Sequence, residues 1–187
     1  MLEYIKITSP IDGEIIGRLK VGTMVLISGV VYTARDAAHK KMVQALEEGE
    51  ELPFDIKGQT IYYMGPSLAP PGRVIGSAGP TTGSRMDIYT LPLLEAGLKA
   101  MIGKGGRSTQ VGEAIRLYRA VYLVTIGGAG AFLSRTIRKA EVIAYPELAA
   151  EAVMRLEVED FPAIVANDAY GSDLFATGRA SYRREVV

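Results

Sequence analysis

The chain has 187 residues, with 21 acidic and 21 basic side chains, 48% hydrophobic and 22% charged residues. Length and balance suit one globular domain around a single core and exclude a disordered or fibrous chain, and zero net charge removes the usual argument for binding nucleic acid or a membrane surface. Cysteine is absent, which excludes disulfides, a thiol nucleophile and any thiolate-ligated metal held by this chain alone.

The opening residues Met1-Leu2-Glu3-Tyr4-Ile5-Lys6 lack a basic region followed by an apolar one, and nowhere is there a run of about 18 apolar residues, so a cytoplasmic chain is expected. Apolar and β-branched runs predict strands over 22–31, 60–63, 74–77, 100–102 and 121–126. Helical spacing predicts helices over 36–48, with Ala37, Met42, Val43 and Leu46 inward, and over 91–97, 109–119 and 129–138. Later come a strand at Val142 and Ile143, a short helix over 147–152, strands over 154–158 and 163–167, and a loose tail from about Tyr182. Pro70-Pro71-Gly72 reads as a hairpin loop. With no repeat, low-complexity tract or linker, residues 1–187 are expected to form one α/β domain mixing βαβ units with hairpins.

Three clusters hold candidate chemistry. In Tyr32-Thr33-Ala34-Arg35-Asp36-Ala37-Ala38-His39-Lys40-Lys41 a strand gives way to a helix, a junction whose free amides and dipole favour anions. Asp36 is placed to cap that helix and to interact with His39, the single histidine, whose ordinary pKa lies near neutrality. The same segment also reads as a capped helix with a basic surface. The second cluster joins Gly79-Pro80-Thr81-Thr82-Gly83-Ser84-Arg85-Met86-Asp87 to Gly103-Lys104-Gly105-Gly106-Arg107-Ser108. Its hydroxyls, glycines and the cations Arg85, Lys104 and Arg107 suit a small dicarboxylate or a phosphate equally, and a capped glycine turn accounts for part of it as well. It is no Walker loop, because Gly103-Lys104 is followed by glycine and not by Ser or Thr. The third, Gly127-Gly128-Ala129-Gly130, fits close helix–strand packing as well as a dinucleotide turn.

In order and together, Arg35-Asp36-Ala37-Ala38-His39-Lys40, Tyr63-Met64-Gly65-Pro66, Gly79-Pro80-Thr81-Thr82 with Arg85-Met86-Asp87, Ile102-Gly103-Lys104-Gly105 and Glu157-Val158-Glu159-Asp160-Phe161-Pro162 resemble the β subunit, or C-terminal domain, of the iron–sulfur class I fumarate hydratases and L-tartrate dehydratases. The resemblance implies a swivelling β/β/α three-layer domain and a hydro-lyase that adds water reversibly across a dicarboxylate double bond. It also implies a [4Fe–4S] cluster whose thiolates lie on a cysteine-bearing α subunit, which agrees with a chain that has no cysteine and places no metal ligand here. Arg35, Arg85 and Lys104 match substrate-binding positions, with Thr82 beside them, and Thr81 matches the proposed catalytic base. A hydroxyl pKa near that of water, about 15.7, makes Thr81 alone a weak base. It either loses its proton in concert to a neighbour, with Asp36 and His39 as relay candidates, or it only hydrogen-bonds a carboxylate. Ala37-Ala38-His39-Lys40 with Arg85-Met86-Asp87 favours fumarate and malate over tartrate. The family also implies self-association within a larger assembly. A non-catalytic module that binds phosphate or a nucleotide is the reading from a different class.

Overall fold

A computed structural model of the chain describes residues 4–183. Its elements run β1 (Tyr4–Ser9), α1 (Gly13–Arg18), β2 (Met24–Thr33), α2 (Asp36–Glu48), β3 (Thr60–Tyr62), α3 (Asp87–Glu95), β4 (Ala100–Gly103), α4 (Thr109–Leu117), β5 (Val121–Val124), α5 (Gly130–Leu133), β6 (Ile137–Ala144), β7 (Val153–Asn167) and α6 (Leu174–Tyr182), with short 3₁₀ segments at Gly83–Met86, Ser134–Thr136 and Pro146–Glu151. All seven strands share one sheet in the order β1-β2-β3-β4-β5-β7-β6. β1 to β5 run parallel to their neighbours, while β7 lies antiparallel to β2, β5 and β6. Because β7 pairs with both β2 and β5, the strands β2, β3, β4, β5 and β7 close into a barrel-like ring, flanked by β1 and β6.

Strand periodicity explains the ring's two faces. Val25, Ile27 and Val31 of β2, Tyr62 of β3, Ala100 and Ile102 of β4, Val121 and Leu123 of β5, and Leu156, Val158, Ala163 and Val165 of β7 belong to one buried cluster. Their alternates Ile61, Met101, Tyr122, Val153 and Ala166 join a second cluster with Ala38 and Met42 of α2, Leu93 and Leu94 of α3, and Val111 and Ile115 of α4. Short strands buried on both faces read as continuous apolar runs, which is the pattern of 100–102 and of 121–123, whereas the strand expected over 121–126 ends at Val124 and leaves Ile126 exposed. Gly49 ends α2 in the left-handed conformation, with φ 71°.

The mixed α/β class follows expectation, and strand pairing joins all seven strands without dividing them into separate sheets. Several elements differ from the sequence reading. Residues 74–77 form no strand, and Ser77 pairs instead with Ser67, whose amide donates to Ser77 O at 3.1 Å and whose Oγ accepts the Ser77 amide at 2.9 Å. Without that strand, Pro70-Pro71-Gly72 is a turn inside a long β3–α3 connection and not a hairpin loop. The helix expected over 129–138 stops at Thr136, and Ile137 already belongs to β6. The two late strands are one, β7, in which Asp160 takes φ 49° between its halves. β1, α1 and α6 were not expected. Tyr182 ends α6, whereas residues 184–187 of the expected loose tail, and residues 1–3 of the opening, lie outside the described residues. No helix among the described residues is long and apolar enough to cross a membrane.

Candidate functional site

Ligands of parallel α/β sheets gather outside the carboxyl ends of the strands, and the sequence-predicted residues collect at that edge. The chain segment at residues 80–82 inserts between the outgoing ends of β3 and β4. The Thr81 amide donates to Tyr63 O at 2.6 Å, the Lys104 amide donates to Thr81 O at 3.0 Å, and Gly83 N–H donates to Lys104 O at 2.8 Å. Thr81 and Thr82 are thus fixed by their backbones, while their hydroxyls make no hydrogen bond to another group among the described residues. Gly83–Met86 then turns the chain so that Arg85 faces the start of α2, which follows directly on β2.

There Arg85 grips Asp36 with both prongs, Nε to Oδ1 at 3.0 Å and Nη2 to Oδ2 at 2.9 Å. Arg35 lies on the other side of Asp36, at 3.8 Å from Oδ2, and its Nη2 also reaches Glu151 Oε1 at 3.3 Å. The sign alternates along Glu151, Arg35, Asp36 and Arg85, and the Arg85 side chain remains 51% exposed at the open end. Lys104 is exposed, lies over Gly127 and has no acidic partner among the described residues. Charge-assisted forks of this kind fix cations in place for recognition of a carboxylate. Glu151 was not foreseen from the sequence. Its partners are more than a hundred positions away, and no local pattern marks such a contact.

Three expectations change. Asp36 is the first helical residue and not the cap, since Arg35 holds the cap position. Its carboxylate binds Arg85, and the expected contact with His39 gives way to a hydrogen bond from His39 Nδ1 to Arg35 O at 2.9 Å. His39 is fully buried beside the Tyr63 ring, Nε2 has no partner, and desolvation lowers the pKa to about 4, holding the ring neutral. Arg107, grouped with the anion-binding cations by sequence, is instead buried. It donates to Asp87 Oδ1 and Thr90 Oγ1, both at 2.6 Å, and lies over the rings of Tyr122 and Tyr63. Arg107 therefore cross-links α3 to the strand ends beneath the candidate site.

An iron–sulfur cluster takes thiolate ligands. This chain has no cysteine, and no group of three or more His, Asp or Glu side chains among the described residues is placed to hold a metal, so its residues do not fit that group. A cavity of about 520 Å³ lined by Ser108, Asn167, Tyr170 and Arg179 contains none of Arg35, Asp36, Thr81, Thr82, Arg85 or Lys104.

The family model described as Fumarase C-terminus matches residues 2–178. An Escherichia coli (strain K12) protein named Fumarate hydratase class I, aerobic, is 42% identical over 167 residues, which cover 87% of this chain and 30% of that protein. Fumarate hydratase 2 of Leishmania major is 41% identical over 171 residues, covering 89% of this chain and 30% of that protein. A Methanocaldococcus jannaschii protein with the provisional name L(+)-tartrate dehydratase subunit beta is 37% identical over 164 residues, 84% of each chain. The chain therefore spans about 30% of the length of the fumarate hydratases it matches and most of the tartrate dehydratase subunit.

Proposed function

Since the chain belongs to the Fumarase C-terminus family, we propose that it is the β subunit of a two-subunit fumarate hydratase, interconverting fumarate and L-malate together with a cysteine-bearing α subunit. The observation that carries this reading is the Arg35, Asp36 and Arg85 network beside Thr81 and Lys104, at the strand ends where an α/β domain presents its ligand. Arg35, Asp36, Arg85, Lys104 and Glu151 together leave one net positive charge, which offsets half the charge of a dicarboxylate bound with one carboxylate near Arg85 and the other near Lys104. The hydroxyls of Thr81 and Thr82, on a backbone held by Tyr63 and Lys104, orient the ligand between them.

In dehydration of malate, the proton on the carbon next to the carbinol moves to Thr81 Oγ, and the C–H electron pair becomes the new double bond as the C–O bond breaks. The Thr81 hydroxyl passes its own proton in the same event to Asp36 and on to the departing hydroxide, which leaves as water, so no free alkoxide accumulates. Asp36, partly exposed and in contact with both arginines, is the better relay candidate. His39, neutral and enclosed, keeps Arg35 O in place instead. The cluster implied by the family resemblance belongs to the partner in this scheme. Residues 1–187 act as one cytoplasmic domain of the swivelling β/β/α kind, self-associating within the larger assembly.

A tartrate dehydratase β subunit is the second reading, favoured by one observation: the match to the Methanocaldococcus jannaschii protein covers 84% of both chains. Anaerobic turnover of L-malate and L-tartrate by the chain purified with its partner separates the two. Faster turnover of malate supports the first reading, and turnover of tartrate alone replaces it with the second. Binding of phosphate or a nucleotide by the isolated chain, with no dicarboxylate turnover in the complex, favours a non-catalytic module over both.

A further inference from the structure

Arg35 is anchored from a side that no sequence motif marks. Glu151 closes the 3₁₀ segment Pro146–Glu151 and turns both carboxylate oxygens toward the start of α2, where Oε2 accepts the Ala37 amide at 2.9 Å and Oε1 faces Arg35 Nη2 at 3.3 Å. A cap alone needs only one of these oxygens.

The surrounding backbone is arranged to deliver that carboxylate. Tyr145, ahead of the segment, takes φ 55° and Ala149, within it, takes φ 51°, a left-handed region rarely used by residues with a Cβ. Gly65 makes room, since a Cβ there would lie 2.6 Å from Ala150 O and 3.0 Å from Arg35 Nη1. Arg35 has little else to orient it. Its Nε is buried without a partner, and Asp36 is 3.8 Å away with both oxygens already engaged by Arg85.

We propose that Glu151 is a positioning residue for Arg35, fixing the guanidinium by one edge so that its remaining donors face the ligand carboxylate. This rests on the reading of Arg35 as part of a dicarboxylate clamp. Glu151→Gln keeps the size and an acceptor for the Ala37 amide but removes the charge facing Arg35. In the complex with the α subunit, this variant is expected to raise KM for the dicarboxylate about tenfold while kcat stays within about threefold. Glu151→Asp, which keeps the charge on a shorter arm, should fall between the two. In an Arg35→Ala background, Glu151→Gln should add nothing. An equal penalty in both backgrounds, or an unchanged KM in the single variant, overturns the proposal. A readout independent of turnover is the Arg35 Nε–Hε resonance of the isotopically labelled full chain, sharp in the wild type and broadened by guanidinium rotation in Glu151→Gln. An unaltered resonance also overturns it. If the wild-type complex turns over no dicarboxylate, the functional reading fails while this resonance still decides whether Glu151 positions Arg35.

Discussion

Thr81 shows what a residue needs from its neighbours. Its backbone is tied to Tyr63 and Lys104, its hydroxyl is left without a partner, and Lys104 lies on the adjoining strand end while Arg85 follows in the next turn of the chain. If that hydroxyl moves the carbon-bound proton, Thr81→Ala lowers kcat by about 100-fold or more, whereas Thr81→Ser, which keeps the oxygen, stays within about tenfold of wild type. Near-normal kcat in Thr81→Ala, measured in the assembled enzyme, would reduce Thr81 to a carboxylate ligand. Arg85→Lys replaces a fork on Asp36 by a point charge, so KM should rise about tenfold with a smaller change in kcat. His39 makes a prediction about stability. Burial lowers its pKa from 6.5 to about 4, so the unfolded chain takes up the proton first as pH falls. The stability this neutral ring contributes is complete above pH 6.5 and is lost down to about pH 4, by about 3 kcal/mol in all. Denaturant titrations across that window should show a shallower pH dependence in His39→Leu, and an identical slope would contradict the assignment.

At the scale of elements, local motifs placed the site and long-range pairing decided the sheet. Arg35-Asp36 was legible because it directly follows the apolar run of β2, and Thr81-Thr82 because its hydroxyls, glycines and nearby charge stand out in composition, although no strand directly precedes it. The ring closure was not legible, since it depends on β7 pairing with β2 across most of the chain. α6 was missed because none of its residues is buried, so it carries no apolar stripe to read. Residues 74–77 read as a strand on apolar content alone, whereas Ser77 pairs with Ser67 outside the sheet. His39 read as a proton relay and Arg107 as an anion-binding cation by type, but only burial distinguishes a solvated group from one enclosed in the core. Gly65 tests the packing of the Pro146–Glu151 segment against Arg35. Gly65→Ala should push Ala150 and the guanidinium apart, destabilising the fold by about 1–3 kcal/mol and raising KM as well. Unchanged melting and unchanged KM would mean that the two segments yield without consequence.

For the whole molecule, the proposed division of labour rests on what the chain contains and what it lacks. It offers fixed cations and unpartnered hydroxyls at one sheet edge, has no cysteine, and spans about 30% of the class I fumarate hydratases it matches. Buried on both faces, the ring gives those cations a rigid base, and Arg107 ties that base to α3 from below. In this account catalysis needs a second chain or domain that supplies the rest. The direct measurement is anaerobic conversion of L-malate to fumarate by this chain mixed with a cluster-loaded chain matching the remaining part of the class I relatives, each component alone serving as control. Turnover is expected in the mixture and in neither half alone. Turnover by the partner alone at the same rate, or none in the mixture with an intact cluster, would contradict it.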